Sequence, residues 1–251
     1  MKVGRSPKLF LTRLAMTVDP MMPSHPHDGF VLLWSGGKDA MLAHDVIHSQ
    51  SPRRIGALLT TVTEEKNRVT MHGTPRALVE QQADALGLPL HIMQVPPQPP
   101  NDVYEARLEA ALRPLLDTGF STVVAGDLFL DDVRAYREEA LESLGASALF
   151  PLWERDTTWL AQHFLARGYR AVVTAVDTAQ LDTSFLGRTY DNTFLKDLPD
   201  EIDPCGEEGA FHTFVTDGPP FGRPVPVKKE DRETQGRIRT VRLTPKRQES
   251  Q

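Results

Sequence analysis

The chain has 251 residues, of which 40% are hydrophobic and 25% charged, with a formal net charge of −6 and a single cysteine. This is the composition of an ordinary soluble globular protein of one domain or one and a half, long enough to bury roughly 70% or more of its unfolded surface. The acidic balance excludes a broad nucleic-acid footprint, the lone Cys205 excludes an intrachain disulfide, and no apolar run reaches the ~18 residues of a membrane span. A cytoplasmic protein is expected.

Residues 1–29 carry Lys2, Arg5 and Lys8 ahead of Leu9-Phe10-Leu11, but Arg13 interrupts the apolar stretch before it reaches signal-peptide length. Pro20, Pro23 and Pro26 follow without periodicity, so a disordered extension is expected, with Met16, Met21 and Met22 as alternative starts.

From residue 30 the texture is that of alternating strands and helices. The apolar run 30–34 reads as a strand and stops abruptly at Ser35-Gly36-Gly37-Lys38-Asp39. Met41, Leu42, Val46 and Ile47 then recur at helical spacing, to about residue 49. A strand ending in a glycine turn that opens a helix is an anion site. Gly36 and Gly37 allow close backbone approach, and the helix start offers N–H groups and a positive dipole end. Ser35 adds a hydroxyl and Lys38 a mobile positive charge for phosphate oxygens.

Residues 55–62 form the second strand, ending near Thr60 and Thr61. Residues 74–86 are a helix with Pro75 in its first turn and Gly87 at its end. A strand at 89–95, a proline-rich turn, a helix at 102–118 and a strand at 122–125 closing on Gly126-Asp127 complete a domain of residues 30–126. Strands alternating with helices of this length predict an α/β fold, a parallel sheet with helices on both faces. Ligands of such sheets sit beyond the C-terminal strand edge, where the glycine loop, Thr60, Thr61, Gly126 and Asp127 would converge. A smaller α+β domain is expected over 127–243: a helix at 131–144 bearing Arg134 and Arg137, a helix to residue 167, a strand at 170–176, a strand at 211–215, and one or two strands to residue 243. Residues 244–251 read as a frayed tail.

The loop contains neither GxxxxGK[ST] nor GxGxxG. It resembles the SGGxDS loop of the PP-loop ATP pyrophosphatases, the adenine nucleotide alpha hydrolase-like proteins, with Ala40 where that family usually has a second serine. Gly126-Asp127-Leu128, Arg134, Tyr136-Arg137-Glu138, Phe150-Pro151-Leu152-Trp153 and Met71-His72-Gly73 followed by Gln81 narrow the resemblance to one branch. That branch is the diphthine–ammonia ligase family, or N-type ATP pyrophosphatases. Asp203-Pro204-Cys205-Gly206-Glu207-Glu208-Gly209-Ala210-Phe211-His212-Thr213 is similar to its second signature, with Glu208 and Ala210 as departures.

The resemblance implies ATP and Mg²⁺ as cofactors, a carboxylate adenylated with release of pyrophosphate, and capture by ammonia with release of AMP. The acceptor would be the diphthine of elongation factor 2 or an unknown small molecule. Backbone N–H groups of Gly36 and Gly37 with Lys38 suit the charge that develops on the α-phosphate, and Asp39 and Asp127 suit magnesium. Lys38 and Asp39 are the candidate catalytic residues. Thr60, Thr61 and Gly126 would border ATP, and Asp127, Arg137, Glu207 and His212 would meet the substrate. Cys205 reads as a small buried residue. A PP-loop sulfur transferase would need a cysteine pair and a basic RNA surface, both missing here. The rival reading is an adenine-nucleotide sensor that binds without turnover.

Overall fold

The computed structural model describes residues 29–246. The expected disordered extension lies outside them except for Gly29, as does the tail beyond residue 246. The first sheet has five parallel strands: β1 (Phe30–Leu33), β2 (Ile55–Thr63), β4 (Leu90–Val95), β5 (Thr122–Val124) and β6 (Ser147–Leu149). Their spatial order is β4-β2-β1-β5-β6, and a two-residue strand β3 (Arg68–Val69) runs antiparallel along the far end of β2. The chain builds outward from β1 to β2 and β4, then returns to the other side of β1 for β5 and β6. The winding therefore reverses between β1 and β5, and the loops that follow these two strands part there to leave a crevice.

Alternation along the strands sends successive side chains to opposite faces. Leu32, Leu58 and Val124 pack on one face with Met41, Leu42 and Val46 of α1 (Lys38–Gln50) and with Leu78 and Val79 of α2 (Arg76–Leu86). Val31, Ala57, Leu59 and Val123 pack on the other with Leu108 and Leu112 of α3 (Asn101–Leu116) and Leu141 of α4 (Asp131–Ser143). Each fully buried valine, leucine or methionine among them contributes about 1.5–3 kcal/mol.

The second sheet is antiparallel throughout. β7 (Arg170–Asp177) pairs with β11 (Ile238–Pro245), β8 (Thr189–Tyr190) and β9 (Phe211–Asp217), and β10 (Val227–Gln235) pairs with β11. Helices α5 (Thr157–Ala166) and α6 (Asn192–Asp197) accompany it. Asp156 starts α5 by accepting a hydrogen bond from the Trp159 N–H at 2.6 Å. Phe164, Phe211 and Phe214 of this region join the same core as α1 and α2, so the two sheets share one apolar interior.

The α/β architecture with a smaller α+β part is the one the sequence predicts. The parallel sheet nevertheless continues past residue 126, because β6 adds a fifth strand at Ser147–Leu149. Residues 244 and 245, expected in a frayed tail, are the end of β11. Among the described residues no helix is long and apolar enough to cross a membrane.

Candidate active site

The glycine loop is held from below. Gly36 adopts φ +78°, a backbone conformation that glycine enters at little cost, and a Cβ there would stand 2.6 Å from Gln82 Oε1. Gln82, fully buried on α2, ties three segments together. Its Oε1 accepts from Trp34 Nε1 at 2.9 Å, and its Nε2 donates to the carbonyls of Gly36 at 3.0 Å and Val215 at 2.6 Å. The N–H of Val215 returns a bond to the Gly36 carbonyl at 2.9 Å. At the start of α1 no residue of the loop caps the helix. The Lys38 N–H instead donates to Thr213 Oγ1 of β9 at 3.1 Å, and the Gly37 N–H to Ser35 Oγ at 3.2 Å.

Gly126 brings the second loop against this helix start. A Cβ on it would lie 2.9 Å from the carbonyl carbon and oxygen of Asp39 and 3.1 Å from the Ala40 nitrogen. All three are backbone atoms, which cannot swing aside, so only glycine fits. Asp127 follows on the cleft wall and pairs with Arg137 of α4 at 2.9 Å.

A cleft of about 390 Å³ opens between the two loops, within the range of small-molecule sites. Ser35, Lys38, Asp39, Thr61, Gly126 and Asp127 line it from the first sheet, Arg137 from α4, and Glu207 and His212 from the segment that ends in β9. Gly36 and Gly37 are buried and are not part of the lining. Thr60 departs from its expected role as an adenosine neighbour. Strand alternation lets only one of two adjacent threonines face the cleft, and Thr60 is fully buried with its hydroxyl donating to the Trp34 carbonyl at 2.7 Å.

Lys38 is not the mobile charge that its loop position suggests. Only 2% exposed, its ammonium donates to both Asp39 carboxylate oxygens, at 2.9 and 3.0 Å, and to the Cys205 carbonyl. The rings of Phe211 and Tyr190 lie 5.4 and 5.9 Å from it. Burial, the largest single influence, works to lower its pKa, but Asp39 together with Cys205 and Asp203 holds it above the ordinary lysine value. Burial likewise pushes the Asp39 carboxyl up, against the pull of Lys38. An ammonium taken out of water has to be paired, which explains its three oxygen partners.

Glu207 Oε1 accepts from the N–H groups of Phe129 at 3.0 Å and Leu128 at 3.3 Å, so it clamps the loop after β5, and burial raises its pKa. Asp203 Oδ1 accepts from the N–H groups of Cys205 at 2.8 Å and Glu207 at 3.3 Å and shapes that turn. The Cys205 thiol is buried and pushed up to about 12, which leaves it a packing residue, as the sequence suggests. Arg134, three residues before Arg137, turns away to pair with Glu138 at 2.8 Å and stack 4.7 Å from the Trp153 ring. His212 meets His72 with ring centroids 4.5 Å apart. Burial, reinforced by Lys38, lowers His212 to about 4, and burial with the nearby His212 takes His72 well below its usual value.

Both cleft cations, Lys38 and Arg137, are matched by a carboxylate, and Glu207 adds a third negative group. Among the described residues no cluster of three or more metal-ligating side chains forms. The part-exposed Asp39 and Asp127 thus offer one or two carboxylates, the number that magnesium takes when phosphates and waters complete its shell. That donor set fits the ion expected from the sequence.

Gln82, Thr213 and His72 are cleft-building residues that the sequence pattern does not single out by role. Gln82 adjoins the Gln81 noted above. His72 stands between two positive-φ residues, Met71 at 67° and Gly73 at 66°, a backbone signature with no trace in residue type except at the glycine.

Residues 29–147 match the model of the diphthamide synthase N-terminal domain, and residues 156–243 that of the diphthamide synthase C-terminal domain. The chain belongs to the diphthamide synthase family. No curated protein matches it. In this diphthamide synthase family member, the two matched segments correspond to the two sheets. The N-terminal match ends at the first residue of β6, and the C-terminal match starts at Asp156, the cap of α5.

Proposed function

We propose that the chain is an ATP-dependent amide-forming ligase of the diphthine–ammonia ligase type. The observation that carries this reading is the convergence of Lys38, Asp39, Gly126 and Asp127 around one cleft at the reversal point of the parallel sheet. In the first step a carboxylate oxygen of the acceptor bonds to the α-phosphorus of ATP, the bond to the β-phosphate breaks, and pyrophosphate leaves. In the second, the nitrogen of ammonia bonds to the acyl carbon, AMP leaves, and the nitrogen gives up a proton. Lys38 suits the first step because its charge is already fixed at the loop and needs no reorganisation as the α-phosphate gains charge. Magnesium held by Asp39 and Asp127 would neutralise phosphate charge. Arg137 and Glu207 border the space left for the acceptor, which is the diphthine of elongation factor 2 or a small carboxylate.

A second reading, a sensor that binds adenine nucleotide without turnover, is favoured by Ala40. It lines the cleft where the resembling loops carry a hydroxyl. The test is product analysis with Mg-ATP and ammonium, run in parallel with diphthine-bearing elongation factor 2 and with a small-molecule extract. AMP and pyrophosphate dependent on one acceptor support the ligase. ADP and phosphate overturn the α-phosphate chemistry. Nucleotide retained unchanged in both arms, and in an Ala40→Ser variant, supports the sensor.

A further inference from the structure

His72 and His212 belong to different halves of the chain, on the loop after β3 and on β9, yet their rings meet on the cleft wall with centroids 4.5 Å apart. His72 Cε1 lies 3.5 Å from where a Cβ on Gly37 would stand, which puts the pair directly over the glycine loop. None of the four ring nitrogens has a hydrogen-bond partner among the described residues, and of these only His72 Nδ1 is fully buried. His72 Nε2 and both nitrogens of His212 are therefore unpaired and not fully buried, on side chains that line the cleft. A polar site of this kind costs free energy unless something hydrogen-bonds to it.

The surroundings select what that can be. The charged groups on the cleft are Lys38 and Asp39 from α1, Asp127 after β5, Arg137 from α4 and Glu207 before β9. The Lys38 ammonium acts on both rings and disfavours a positive charge beside them. A neutral imidazole keeps one bare lone pair and so accepts from an N–H donor. A small neutral donor fits, whereas a second cation is repelled.

We propose that the facing rings of His72 and His212 form the binding site for the nitrogen nucleophile, and that they take it as neutral ammonia rather than as ammonium ion. This rests on the ligase reading, whose second step needs an uncharged nitrogen with a free lone pair. Held over the glycine loop, ammonia stands beside the place where the acyl phosphate would form, and its hydrogens point to imidazole nitrogens while its lone pair stays available. His72 and His212 bind and orient the nucleophile.

The experiment is a ring-nitrogen NMR titration of the full chain with ammonium chloride, with potassium chloride as the control, at about pH 7 and about pH 8. The expected result is a saturable shift of the His72 and His212 signals with ammonium chloride only. Its midpoint in total ammonium falls about tenfold for the one-unit rise, following the fraction of free ammonia. His72→Gln, which keeps an acceptor, retains the shift at His212, and His72→Phe loses it. No shift, an equal shift with potassium chloride, or a midpoint that does not move with pH overturns the proposal. Should His72→Phe fail to fold, the wild-type titration decides alone. The titration uses neither ATP nor acceptor, so its failure is distinct from failure of the AMP and pyrophosphate assay.

Discussion

The half that carries β1 and α1 meets the cleft largely with backbone: a glycine turn, a helix start and a second glycine pressed against that helix. The half that carries β9 meets it with reaching groups: the Cys205 carbonyl on the Lys38 ammonium, Thr213 Oγ1 on the Lys38 N–H, and Glu207 on the N–H groups of Leu128 and Phe129. The first half thus supplies a cradle of glycine turn and helix start, and the second locks it in shape across 175 residues of sequence in the case of Thr213. A strand-turn-helix cradle alone pairs the Lys38 ammonium only with Asp39 and leaves the Lys38 N–H without Thr213, so the second sheet completes the site as well as walling it.

Breaking the lock at its charged centre should give the largest effect. Lys38→Met keeps the side-chain volume but removes the charge, and AMP-forming turnover in nucleotide product analysis should fall by about 10²–10³ while circular dichroism still finds a folded chain. Gln82→Leu strips the bridge between Trp34, Gly36 and Val215. It should lower the urea-unfolding free energy by roughly 1–3 kcal/mol for each buried group left unpaired. Gly126→Ala tests the backbone side of the comparison. Its Cβ meets only backbone, and a cost of roughly 1–3 kcal/mol in the same assay is expected, with weaker Mg-ATP binding by calorimetry.

Two desolvated histidines, one in each half, sharpen the comparison. Burial holds His44 and His212 at about 4 against the ordinary 6.5. Their folded values are depressed, so as pH falls from 6.5 towards 4 the unfolded chain takes up protons that the folded chain refuses. Stability is therefore lost on acidification through that window, at most about 1.4 kcal/mol per pH unit for each group. Urea midpoints at about pH 7 and about pH 5 should draw closer in both His44→Gln and His212→Gln. A variant that leaves the pH dependence unchanged would show that its histidine is not held below the ordinary value. The smallest effect is expected at the rim, where Arg68 and Glu233 also bridge the halves, at 2.9 Å with the Glu233 carboxylate exposed. Arg68→Ala should cost less than about 1 kcal/mol, so a larger loss in its urea midpoint would move the lock from the buried cleft to the surface.

The cradle was legible in the sequence because its signals are local. Two glycines, a lysine and a change from strand to helix period all fall within residues 31–47. The second half's part was less so. Glu207 was placed at the cleft but its work, holding two backbone N–H groups of another loop, depends on a fold that residue spacing does not report. Gln82 looks like any polar helix residue until the Val215 carbonyl, 133 residues away, arrives beside it. Adjacent threonines at a strand end read alike, and only the sheet's pleat separates lining Thr61 from buried Thr60. β3, β6 and β8, with two or three residues each, are too short to show a period.

The most direct test of the shared site is a crystal structure of the chain with a non-hydrolysable Mg-ATP analogue. The account predicts the phosphates at the Ser35–Asp39 turn with magnesium at Asp39 and Asp127. Phosphates bound instead in the second cleft, beside His44, His48 and Arg54 on the other flank of α1, would contradict it.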